Sequence, residues 1–177
     1  MVRQIALLLL STLATVSCTS AVAQEDQALK NWFNDPFFQV RNALPACPVP
    51  LGPLITEAQR NEEAHYRVER GTSCWMAAKC EKPNSYLYDA PIAEAVRQRF
   101  SASAEFADAS LWITVQRRFV IVQGCISHTE QAARIESMIA VVPDVERVIL
   151  QLISTPHEKP PYALAPTPSN ASGNSTV

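Results

Sequence analysis

The apolar and polar positions of this chain fall into a regular pattern only between Asp89 and Ile153. Ile92, Val96 and Phe100 stand at i, i+4 and i+8, the spacing of one helical face, and Asp89 and Pro91 mark the start of that helix. Leu111 to Val115 and Phe119 to Val122 are β-branched and aromatic runs, which predict two strands. Arg117 and Arg118 between them allow a two-residue hairpin. In that register Val115 faces Val120, Ile113 faces Val122 and Leu111 faces Gly124, so the apolar residues share one face. Ser127-His128-Thr129-Glu130 has the form of a capping box, and Ala132, Ile135, Ile139 and Val142 follow it at helical spacing. Pro143-Asp144 ends this second helix, and Val145 to Ile153 reads as a third strand with Val148, Leu150 and Leu152 in phase. The expected fold class is α+β. Residues 89–154 form a small two-layer domain, ordered helix–strand–strand–helix–strand, with a three-stranded mixed sheet on two helices.

The same alternation sends Trp112, Phe119, Ile121, Cys125 and Ile149 to the other face of the sheet. A monomer rarely leaves a large apolar patch in water, so this face needs a cover. The segment upstream supplies the material. Trp32, Phe33, Phe37 and Phe38 are interspersed with Pro36, Pro45, Pro48, Pro50 and Pro53, which exclude a long helix beyond Pro36. Four cysteines are available, Cys47, Cys74, Cys80 and Cys125, and three pairings of them are open. The covering argument predicts Cys47–Cys125, with the segment from Trp32 to Pro53 on the outer face. Cys74–Cys80 would then close a short loop around Trp75.

The rest of the 24–88 extension contains one recognisable helix. Thr56-Glu57-Ala58-Gln59 is a capping box that opens a polar surface helix over about 57–70, with a Glu63–Arg67 pair on its face and Gly71 as its stop. At the other end, residues 155–177 are rich in proline, then in serine, asparagine and glycine. They hold too little apolar surface to offset their ordering entropy, and disorder is expected.

The first 23 residues change the compartment. Arg3 precedes an apolar run from Ile5 to Val16, and Ala21-Val22-Ala23 gives a small-x-small cleavage site before Gln24. The run is too short to span a bilayer, and no later segment is long and apolar enough. A signal peptide cleaved between Ala23 and Gln24 is expected, and hence a periplasmic or secreted protein. The alternative is a lipoprotein anchored through Cys18, although Thr15 stands where that signal expects an aliphatic residue. An oxidising compartment is also where four cysteines become two disulfides.

Charge and candidate chemistry narrow the function. Without residues 1–23 the chain has 14 basic and 17 acidic side chains, which gives no footprint for nucleic acid. No pair of cysteines has C-x-x-C spacing, and His65, His128 and His157 are scattered, so neither a metal site nor any other cofactor is expected. Glu62-x-x-His65 lacks the second motif and the further carboxylates of a di-iron bundle. Ser127 and His128 are adjacent at a helix start, where their side chains diverge. The four glycines are isolated, so no phosphate loop can be built. No residue set supports an enzyme. Arg97 and Arg99 on the first helix, and Arg117 and Arg118 at the hairpin, are the candidate contacts to an anionic lipid surface or a partner.

The segment from Asp89 resembles the BON domain of bacterial osmotic-shock and outer-membrane-associated envelope proteins. The resemblance rests on Ile92-x3-Val96, on Ile113-x-Val115 and on Val120-Ile-Val-Gln-Gly124-Cys-Ile126. It continues through Ala132-Ala133 and Ile135 and closes with Val141-Val-Pro-Asp-Val145-Glu-Arg-Val148. The family pattern has glycine at the hairpin and before the final valine, where this chain has Arg118 and Asp144. Asp accepts left-handed backbone more readily than Arg, so a hairpin of another type is expected at Arg118. The resemblance implies a non-enzymatic envelope protein that binds phospholipid or a protein partner. The alternative is an accessory subunit held through its aromatic segment, without lipid binding.

Overall fold

The computed structural model describes residues 28–154 and 158–166. Residues 1–27, which hold the expected signal segment, Cys18 and the expected cleavage point between Ala23 and Gln24, lie outside the described residues, as do 155–157 and 167–177. The chain forms β1 (Phe37–Asn42), α1 (Glu57–Met76), a 3-10 turn (Ser85–Tyr88), α2 (Asp89–Ser101), β2 (Ser110–Gln116), β3 (Phe119–Cys125), α3 (Gln131–Ala140) and β4 (Arg147–Ile153). The class is α+β, as expected, but the sheet has four strands in the order β1-β2-β3-β4. The fourth comes from the extension. Phe37 to Asn42 pairs antiparallel with β2, across a register shift between Gln39 and Arg41.

The hairpin register is the expected one: Leu111 pairs with Gly124, Ile113 with Val122 and Val115 with Val120, and β4 adds in parallel to β3. One core lies between the sheet and the helices α2 and α3, built on Ile92, Val96, Phe100, Leu111, Ile113, Val115, Val120, Val122, Ile135 and Ile139. Arg41 ties β1 to α2, because its Nη2 donates to the carbonyls of Phe100 (2.8 Å) and Ser103 (2.6 Å) at the helix end. The Phe100 carbonyl also accepts the Ser103 N–H (3.4 Å), so the guanidinium reinforces the turn that closes α2.

Both expected disulfides are present, Cys47–Cys125 and Cys74–Cys80, with Cα separations of 5.8 and 5.6 Å. The cover over the second face is narrower than expected. Cys47, Trp112, Cys125 and Ile153 form a small second core with Phe37 and Leu44 against it. Phe119, Ile121 and Ile149 remain half-exposed. The extension pairs beside β2 and buries Trp112 and Thr114. Around Ile121 its residues Phe33, Gly52, Pro53 and Ile55 line an open cleft with the sheet, so that part of the face stays partly exposed.

Four local expectations are corrected. First, α1 runs through Gly71 to Met76. A Cβ at Gly71 would stand 2.6 Å from the Asn84 side chain, so the glycine serves close packing and does not end the helix. Second, Glu63 pairs with Arg70 (3.8 Å), whereas Arg67 turns inward to Asp35. Third, α3 begins at Gln131, with no capping box at Ser127. The Gln131 Oε1 instead accepts from the Ser127 and His128 N–H groups (2.9 and 3.1 Å). Fourth, residues 158–166 are ordered against the extension: the Leu51 N–H donates to Ala163 O (2.7 Å) and the Ala165 N–H to Val49 O (2.9 Å). The tail gains order from main-chain partners, a source that its poor apolar content does not reveal.

Candidate functional site

The site grows from two departures from local preference. Arg117 and Arg118 both have left-handed backbone, with φ of 53° and 68°. A two-residue hairpin with positive φ at both centres matches the twist of its strands, so the register of β2 and β3 imposes it on residues that resist it. The expectation of another hairpin type is corrected here: the turn keeps its form, and Asp89 holds it. The Arg117 N–H donates to Asp89 Oδ2 and the Arg118 N–H to Asp89 Oδ1, each at 2.7 Å. Asp89 is 3 % exposed. Burial pushes its carboxyl up to about 6, although the two N–H groups of the hairpin favour the charged form. Asp144, at φ 67°, takes the left-handed position expected of it.

The second departure is the end of α1. Beyond Met76 the chain reverses through Ala78, at φ 53°, and the Cys74–Cys80 bridge pins the reversal. The N–H groups of Ala77, Ala78 and Lys79 donate to the carbonyls of Ser73, Trp75 and Cys74. These bonds cap the negative end of the helix. Tyr88 fixes the returning segment, since its hydroxyl oxygen accepts from the Glu81 and Lys82 N–H groups (3.0 and 2.8 Å).

Between these two features lies a cleft of about 450 Å³. Arg70, Ser73 and Cys74 of α1 with Ala77 just beyond it form one wall, Arg117 and Arg118 the other, and Lys79, Ser85 and Glu146 complete the lining. Four cations thus face one carboxylate. Arg118 is braced through its Nε, which donates to Asp144 O (2.8 Å), and its Nη1 lies 3.8 Å from Glu146. Lys79 makes no ion pair among the described residues. Trp75 (52 % exposed) and Met76 (77 %) leave the same last turn of α1 for solvent. The lining offers positive charge and hydrogen-bond donors, which equips it to hold an anion.

The four arginines singled out from the sequence do not form one surface. Arg117 and Arg118 stand together, joined by Arg70 and Lys79. Arg97 and Arg99 lie on α2 about 12 and 15 Å along the axis from Asp89, and two residues apart they project from different sides of the helix. The Arg97 guanidinium rests 3.6 Å from the centre of the Phe38 ring, and both side chains are exposed. The Ser127 hydroxyl donates to Asp108 O (2.7 Å), and His128 lies 3.9 Å from Asp108, so neither addresses the other. Among the described residues no three His, Cys, Asp or Glu side chains gather where a metal could sit.

Sequence reasoning missed Arg70, Lys79 and Ser85. A signal was available for one of them. Arg70 precedes Cys74 by four residues, and the two share a flank once the helix is allowed through Gly71.

What anchors the extension to this region is a buried pair. Arg67 Nη1 and Nη2 donate to Asp35 Oδ2 (2.9 Å) and Oδ1 (2.6 Å), and Gln116 Nε2 donates to Asp35 Oδ2 (2.8 Å). The Phe33 and Tyr86 rings lie 4.1 and 3.9 Å from the guanidinium. One side chain therefore joins the extension loop, α1, the 3-10 turn and, through Gln116, the end of β2.

Residues 88–156 match the family model of the BON domain, which places the domain from α2 through β4 and leaves α1 and β1 outside it. No curated protein and no solved structure matches the chain.

Proposed function

We propose that this BON-domain protein is a non-enzymatic, exported component of the cell envelope, periplasmic or secreted, that docks on anionic phospholipid. The observation that carries the reading is the convergence of Arg70, Lys79, Arg117 and Arg118 at one end of the molecule, with Glu146 the one acid in the lining. Each basic residue held near an anionic surface contributes about 1 kcal/mol. Trp75 and Met76 add apolar contact of the kind that settles at a membrane–water interface. The association of BON domains with envelope phospholipid supports the same direction, as do two disulfides. Among the described residues no helix is long and apolar enough to cross a membrane.

Flotation with vesicles tests the reading. The mature chain should float with vesicles containing phosphatidylglycerol and remain behind with pure phosphatidylcholine, and R117E/R118E should abolish the difference. The R97E/R99E protein serves as a matched charge control and should float like the parent. Flotation that is indifferent to lipid charge would refute the reading and leave a protein partner as the ligand.

A further inference from the structure

We propose that the cleft between the end of α1 and the β2–β3 hairpin is a binding site for a phosphate monoester group. It shares its basic rim with the docking surface, but it stands on a separate observation and holds whether or not the protein meets a membrane.

That observation is Ser85. Its side chain lines the inner wall of the cleft and is 2 % exposed. Its hydroxyl has no hydrogen-bond partner among the described residues. Buried polar groups almost always find partners, and an orphan asks for a ligand or another explanation. The charge around it defines the ligand. Arg70, Lys79, Arg117 and Arg118 face Glu146 in the lining, with Glu63 beside Arg70, so two positive charges remain in surplus. That is the charge of a phosphate monoester dianion and more than a carboxylate or other monoanion needs. Guanidinium groups present their N–H donors in a planar fork that matches two oxygens of one phosphate. Arg70 and Arg118 keep free donors for this purpose, since their contacts to Glu63 and Glu146 are single and long, at 3.8 Å. The Ser73 hydroxyl is not available as a donor, because it already donates to Arg70 O (2.8 Å). A volume of about 450 Å³ equals that of on the order of fifteen waters. It admits a phosphate together with the group it esterifies.

Two kinds of molecule present that chemistry, a soluble phosphate ester and a lipid with a terminal phosphate. Titration calorimetry of the mature chain with glycerol phosphate and with inorganic phosphate addresses the first. Vesicles of phosphatidylcholine with phosphatidate, compared with vesicles carrying phosphatidylglycerol at equal total charge, address the second. Saturable binding in either arm is expected, with acetate and chloride unable to compete at equal ionic strength. S85A should weaken it about tenfold, the worth of one hydrogen bond to a charged group, and should leave the melt unchanged or raised. R117A should weaken it further without altering the disulfides. Absence of binding in both arms, equal competition by acetate, or an S85A protein that binds as the parent does would each overturn the proposal. Loss of phosphatidylglycerol flotation with retained glycerol phosphate binding would sink the docking reading alone.

Discussion

Asp89→Asn sets two forces against each other, and pH separates them. In the parent, both carboxylate oxygens accept an N–H from the strained hairpin. Asparagine offers one oxygen and turns an NH₂ toward the other N–H, which costs about 1–3 kcal/mol for an unsatisfied buried donor. Against this, the ionised carboxylate is itself expensive where it is buried. Its pKa stands at about 6 in the fold against 3.8 for an ordinary aspartate. Between these values the folded state binds more protons than the unfolded one, so stability falls as pH rises through the window. The full loss is at most ~3 kcal/mol, at ~1.4 kcal/mol per pH unit of the interval, and water reaching the turn reduces it. Urea denaturation of parent and D89N, at pH values from 3.5 to 7.5, measures the balance. The stability advantage of the parent should be largest near pH 4, shrink through pH 6 and level off above it. Subtracting the variant removes the titration of every other carboxyl. An advantage that is flat across this range, or that grows with pH, would refute the assignment of Asp89 as a buried clamp that ionises at a cost.

Other substitutions probe the joints of the fold. C47S/C125S opens a loop of 78 residues and should lower stability by up to ~4.5 kcal/mol by chain entropy; the six-residue loop of C74S/C80S should lose about 2. Comparing the two melts checks the order. R67A leaves the buried Asp35 carboxylate without its cation and should cost about 3–5 kcal/mol, visible as a lower urea midpoint and faster proteolysis of the 28–56 segment. G124A would place a Cβ 2.1 Å from Ser110 O at a φ of 135°. It should destabilise by at least ~2 kcal/mol, whereas Q123A beside it should stay within about 1 kcal/mol.

The sequence alone determined what depends on local period. The spacing of Ile92, Val96 and Phe100 and the alternation from Leu111 to Val122 fixed the helix, both strands and their register, because a one-residue slip would turn every apolar side chain to the wrong face. The same alternation placed Cys125 and Trp112 on the outer face and so pointed to Cys47–Cys125. Thr56 and Gln59 announced their capping box, and both halves of it form. Tertiary structure decided what depends on partners far along the chain. Phe37 to Asn42 becomes a strand because β2 offers it a free edge, a reason that its own proline-flanked pattern does not contain. Gly71 reads locally as a stop, yet the Asn84 side chain packs against it. Arg117 and Arg118 hold left-handed backbone through a carboxylate 28 residues upstream. The cleft itself joins residues 70–79, Ser85, the hairpin and Glu146. Hydrogen bonds and charge carry no period along a sequence, so a site built from them becomes visible only when the chain has brought its pieces together.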